Sequence, residues 1–182
     1  MKKIKDIIEE RVLVLDGPMG TMVQGYGLKE TDFRGSEFKD HHMDLVGNND
    51  ILSITRPDII SEIHKSYLQA GADLIETNTF NANSISQADY QMEHMVYDLN
   101  LESAKIAKDI SDRFTKSNPN KPRFVCGAIG PTNQTASMSP DVSDPSHRNV
   151  DFDQLVDAYK EQVCGLVDGG VDILTVSYTH LT

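Results

Sequence analysis

Short unbroken apolar runs alternate along the chain with longer stretches whose apolar residues recur at steps of three and four. The runs are Val12-Leu13-Val14-Leu15, ending at Asp16-Gly17; Leu74-Ile75, ending at Glu76-Thr77-Asn78-Thr79; Phe124 to Ile129, ending at Gly130-Pro131-Thr132; and Val171 to Val176. Runs that are apolar throughout, rather than at every second residue, fit strands buried on both faces of a parallel sheet. Thr55-Arg56-Pro57-Asp58 opens a helix with a capping hydroxyl, a proline at the first helical position and an acid in capping-box register. Ile59, Ile60, Ile63 and Tyr67 hold its apolar face, and Gly71 supplies a left-handed stop. A second helix carries Tyr97, Leu101, Ala104, Ala107, Ile110 and Phe114, and a third carries Phe152, Leu155, Val156, Tyr159, Val163 and Val167 before Gly169-Gly170.

Strands alternating with helices predict an α/β fold with a parallel sheet. The connections after the strands, residues 17–55 and 130–150, are long, whereas helix-to-strand joins such as Ala70-Gly71-Ala72-Asp73 are short. In a β/α barrel the loops after the strands form the active face, which directs attention to Asp16, Glu76 and Gly130. A full (βα)8 TIM barrel needs about 250 residues. This chain therefore predicts the N-terminal half, about four βα units, over residues 1–176. A doubly wound sheet would place a glycine-rich phosphate loop after strand one, where Asp16-Gly17-Pro18-Met19-Gly20-Thr21 fits poorly. Half a barrel leaves open edges and bares apolar faces at Val12, Val14, Ile75 and Val125 or their neighbours, so self-association is expected.

The 182 residues carry a formal charge of −11, which argues against a nucleic-acid partner. No apolar run is long enough to span a membrane and no export signal opens the chain, so a cytoplasmic protein is expected. Cys126 and Cys164 form no CxxC and read as packing residues. The histidines lack metal-ligand spacing and read as solvated or locally bonded. Asp141, Asp144 and Asp151 match no calcium loop, and no metal ligands are assigned.

Two carboxylates stand out. Asp16 ends an apolar run, where it either closes an Asx turn or binds an ammonium or hydroxyl. Glu76 follows Asp73-Leu74-Ile75 directly, so it is buried near a strand end and needs a salt-bridge partner or a ligand. Asn78, Asn81 and Asn83 add amides suited to a small polar ligand or to capping. The polar loop from Gly130 to Asp141 is long enough to be functional.

Together these motifs resemble the homocysteine-binding barrel of cobalamin-dependent methionine synthase. The likeness runs through Leu15-Asp16-Gly17-Pro18-Met19-Gly20-Thr21-Met22, Thr31-Asp32-Phe33-Arg34-Gly35 and Gly47-Asn48-Asn49-Asp50. It continues from Arg56-Pro57-Asp58 through Gly71-Ala72-Asp73 to Glu76-Thr77-Asn78-Thr79-Phe80-Asn81, then Gly130-Pro131-Thr132-Asn133, Ser139-Pro140-Asp141-Val142 and Phe152-Asp153-Gln154-Leu155. The first stretch is shared by homocysteine methyltransferases generally; the second and third are closer to the cobalamin-dependent branch. The resemblance implies an enzyme that passes a methyl group from methylcobalamin, recharged by 5-methyltetrahydrofolate, to zinc-bound homocysteine, giving methionine. It implies substrate contacts at Asp16, Gly17, Gly20, Glu76, Thr77, Asn78, Gly130 and Thr132. It places the zinc-binding cysteines in a second half-barrel, and cobalamin and folate on further modules, as partners outside this sequence. The fragment alone is then expected to be inactive, with no catalytic residue of its own. A sulfonium or betaine donor, or a half-barrel that only binds ligand or itself, are the alternatives. Family likeness fades after Val176, where a Val-Glu-Thr-like strand end is replaced by Val176-Ser177-Tyr178, and residues 177–182 read as a foreign tail.

Overall fold

The structure, a computed structural model, describes residues 3–176. Three parallel strands, β1 (Leu74–Glu76), β2 (Phe124–Ile129) and β3 (Ile173–Val176), form a sheet in that order. Leu74 pairs with Phe124, Cys126 with Ile173 and Ala128 with Thr175. The first apolar run lies along the free edge of β1 but joins it only at a Leu15–Leu74 bridge. Among the described residues, the expected four βα units are thus represented by three strands and a flanking segment. A strand between two neighbours is held on both sides; this run has one, and Val12 is 85% exposed. The tail at 177–182 lies outside the described residues.

Helix α5 (Pro57–Ala70) precedes β1, α7 (Val96–Ser117) joins β1 to β2, and α8 (Phe152–Asp168) joins β2 to β3, as the apolar spacing predicts. Proline stands at the first position of α5, and Gly71 closes it at φ 112°, a conformation natural only to glycine. Thr55 is not its cap. Arg56 occupies that position and pairs with Asp58 and Asp32, each at 2.8 Å. Asp151 proves to be the cap of α8: it accepts the Gln154 N–H at 2.8 Å while Gln154 accepts its own at 2.9 Å.

Residues 17–55 are not a loose loop. They fold into α2 (Met19–Gln24), α3 (Glu30–Arg34) and α4 (Leu52–Thr55). Phe33, Leu45, Ile51 and Leu52 from this segment pack on Ile60 and Ile63 of α5 and Leu99 of α7. His64, on α5, is fully buried with neither ring nitrogen hydrogen-bonded, contrary to the expected solvated or locally bonded state. Burial pushes its pKa down to about 4, since a buried imidazolium loses its hydration. Cys126 is buried as expected, but Cys164 is exposed on α8.

The sheet's two faces differ. On one, Ile75 and Val125 pack against Leu68 of α5 and Ala107, Ile110 and Phe114 of α7. They are therefore covered, and the apolar side chains left bare sit instead at the edges, Val12, Val14 and Leu15 on one side and Leu174 and Val176 on the other. On the opposite face, Leu74, Phe124 and Cys126 are closed from below by Ile4 and Ile7 of α1 (Ile4–Glu10), a helix not expected from the sequence. Buried Asp73 fastens that end: it accepts two bonds from the Arg11 guanidinium, both 2.7 Å, and the Val14 N–H at 3.0 Å. The upper half of this face, beyond Cys126, carries the site. Among the described residues, no helix is long and apolar enough to cross a membrane.

Candidate functional site

Parallel strands end on the same side, so Asp16 and Glu76 come together at the upper rim of the sheet. The Glu76 N–H donates to Asp16 Oδ2 at 3.1 Å, fixing one carboxylate over the backbone of the other. Beyond β1 the chain crosses the end of β2 with its ladder continued by side chains. Thr77 Oγ1 accepts the Ala128 N–H at 2.9 Å, Thr79 Oγ1 donates to the Ala128 carbonyl at 2.7 Å, and the two hydroxyls meet at 2.7 Å. Gln162 of α8 holds the Thr79 carbonyl at 2.8 Å. Asn78 turns the other way, its side chain donating to the Asn49 carbonyl at 2.7 Å and its backbone N–H donating to the Ser103 hydroxyl oxygen at 2.8 Å. These bonds frame a cavity of about 520 Å³ between the Asp16–Gly20 turn, the Asn49-Asp50 turn and the 76–81 segment.

The cavity is acidic. Asp16, Asp50 and Glu76 line it, and none of its described lining residues is Lys, Arg or His. No ion pair among the described residues reaches any of the three. Burial pushes Asp16 up to about 7, partly offset by the Glu76 N–H and reinforced by the Glu76 charge. Burial pushes Asp50 to about 7 against its bond from Asn81, and Glu76 is also raised by burial. Such shifts collect where a site is built for a ligand rather than for stability.

A carboxyl whose folded pKa is raised favours the fold while protonated, so its penalty is absent below about pH 4 and complete above about pH 7. Asp50→Asn keeps an acceptor for the Asn81 N–H and removes the charge. It should raise the melting temperature at pH 8, by up to about 4 kcal/mol in stability, and change little at pH 4. Equal melting shifts at both pH values would contradict this.

Residues 13–180 match the family model described as homocysteine S-methyltransferase. The chain belongs to the homocysteine S-methyltransferase family. Its fold is similar to that of the homocysteine methyltransferase MmuM from Escherichia coli. For the metallated form the TM-score is 0.69 at 20% identity, covering 95% of this chain and 56% of that one. The oxidised form gives 0.69 at 19% over 96% and 56%, and the apo form 0.60 at 18% over 95% and 52%. The chain thus spans little more than half the length of these family structures.

Of the site residues expected for the family, Asp16, Gly17, Gly20, Glu76, Thr77 and Asn78 line the cavity. Gly130 and Thr132 do not. Gly130 sits under the 76–81 segment, where a Cβ would run into the Phe80 carbonyl, and its own carbonyl accepts the Tyr159 hydroxyl at 3.1 Å. Thr132 bonds to the Gln134 carbonyl within its own loop. Asn81 lines the cavity, whereas Asn83 caps α6 (Ser84–Gln87), accepting the Ser86 N–H at 2.9 Å. Asp50, which was not a candidate from the sequence, also lines the cavity.

The donors present do not fit a zinc site. Among the described residues no group of three or more His, Cys, Asp or Glu could hold a metal. Burial, then the charges of Glu76 and Asp16, push the Cys126 thiol up to about 12, the opposite of what a thiolate ligand needs. Cys164 is on the exposed face of a helix.

Proposed function

We propose that this chain forms the amino-acid-binding face of a homocysteine methyltransferase of the cobalamin-dependent methionine synthase type, acting in the cytoplasm. In that reading the methyl group comes from methylcobalamin, recharged by 5-methyltetrahydrofolate. Zinc carrying the homocysteine sulfur, and the cobalamin and folate modules, belong to parts of the intact enzyme outside these residues. The observation that carries the reading is the acidic cavity at the strand ends, with no cation among its described lining residues: a receptor for an ammonium group. Asp16 and Glu76 hold the amine of homocysteine, while the polar rim at Thr77 and Asn78 meets the rest of its amino-acid part. The branch is supported by the likeness at Thr31–Gly35 and Gly47–Asp50; of these residues, Asn49 and Asp50 line the cavity. Calorimetric titration of the purified chain with L-homocysteine tests the reading. Saturable one-to-one binding is expected, and no heat at millimolar ligand overturns it.

The bare edges carry a second expectation. Val12, Val14 and Leu15 on one side and Leu174 and Val176 on the other present apolar surface at the two edges of the sheet. The isolated chain should sediment as a dimer or larger species and bind ANS. A compact monomer with a sharp melt and no ANS binding would remove self-association from the proposal.

A further inference from the structure

Among the described residues, the fold engages only part of the Asp50 carboxylate. The residue is 3% exposed, yet it faces the cavity shared with Asp16 and Glu76. Its Oδ1 accepts the Asn81 N–H at 3.0 Å; no hydrogen bond to another described residue engages Oδ2, and no described cation pairs with it. Asp50 also lines a smaller cavity of about 140 Å³ with Asn48, Asn81, Asp89 and Tyr90, so its carboxylate stands between that space and the larger one.

The surroundings hold it there. The neighbouring Asn48 and the Gln87 of α6 exchange amide bonds, Asn48 Nδ2 donating at 2.8 Å and Gln87 Nε2 returning one at 3.2 Å. Gln87 Nε2 also donates to the Asn81 carbonyl at 3.1 Å, so one buried amide fixes both the residue before the turn and the residue that binds Asp50. On the other side of the turn, Asn78 holds the Asn49 carbonyl. Fixed geometry with one oxygen left to a ligand is how a binding group is prepared in advance.

We propose that Asp50 is a third substrate-contacting carboxylate, whose free oxygen pairs with the ammonium of the amino-acid substrate and makes the site discriminate against thiols that lack an amine. This rests on the homocysteine reading above and adds to it a residue and a selectivity. The chemistry is an ion pair with a primary ammonium in a site shielded from water, where a missing partner leaves the carboxylate desolvated for nothing.

The test titrates the whole chain and its Asp50→Asn variant with L-homocysteine and with 4-mercaptobutyrate, the same thiol acid without the amine. The chain should prefer homocysteine tenfold or more. Asp50→Asn should weaken homocysteine tenfold or more and leave 4-mercaptobutyrate unchanged, shrinking the preference. Thermal melts establish that the variant is folded, and Asp50→Glu provides a charged second variant that should recover part of the preference. If Asp50→Asn is folded and keeps the full preference, Asp50 is not a ligand contact, while the homocysteine reading stands. If the unaltered chain binds neither thiol, the homocysteine reading fails and this inference falls with it.

Discussion

Glu76→Gln, and separately Asp16→Asn, should weaken L-homocysteine binding at least tenfold while the fold is kept. Both carboxylates stand at the cavity rim with no counter-ion among the described residues, and the Glu76 backbone already holds Asp16 in place. A hydrogen bond to a charged group contributes about 1.5–3 kcal/mol, equivalent to roughly one to two orders of magnitude in affinity. Because burial raises the pKa of both groups, the unliganded variants should be no less stable than the parent at pH 8. Titration calorimetry reads the affinity and a thermal melt reads the fold. Unchanged affinity in both variants would mean that the rim carboxylates serve some purpose other than gripping the amine.

Gly130→Ala should damage the protein more than any other single methyl group near the site. The added Cβ would meet the Phe80 carbonyl and ring, and a backbone oxygen cannot swing aside as a flexible side chain can. The 76–81 segment is also tied to β2 and α8 through Thr77, Thr79 and Gln162, so relieving the clash would break several buried bonds. The expected loss is about 3 kcal/mol in a urea melt, the upper range for overpacking. Homocysteine affinity should fall with it, since Thr77 to Asn81 form the cavity wall. An unaltered urea midpoint would show that the segment over Gly130 is freer to move than its bonds imply.

The parts of the fold legible in the sequence are those decided by local chemistry. Pro57 and Gly71 bracket α5 as read, and the apolar run at β2 is buried along its whole length. The run at Val12–Leu15 is as apolar as β2, but a strand is completed by its neighbours, and this one has a partner on one side alone. Helix α1 was hidden because Lys3, Lys5, Asp6, Glu9 and Glu10 make the segment look like a charged terminus; Ile4 and Ile7 gain meaning only once Leu74 and Phe124 are seen above them. The site was legible to the extent that strand ends mark it, through Asp16 and Glu76. Asp50 was not, because a carboxylate in an Asn-Asn-Asp turn is indistinguishable from a solvated one until Asn81 and Gln87, more than thirty residues away, enclose it.

The way α1 is fastened turns one thiol into a gauge of the chain's integrity. Cys126 is covered from below by Ile7 and cannot meet a reagent in solution, while Cys164 is open to it. The clasp between Arg11 and Asp73 is what keeps that floor shut, through a handful of bonds near the start of the chain. Clipping the first eleven residues would therefore do more than shorten an end: it would uncover Leu74, Phe124 and Cys126 together. The count of reactive sulfhydryls would rise from one to two, at a point far from the cavity and without any ligand being present.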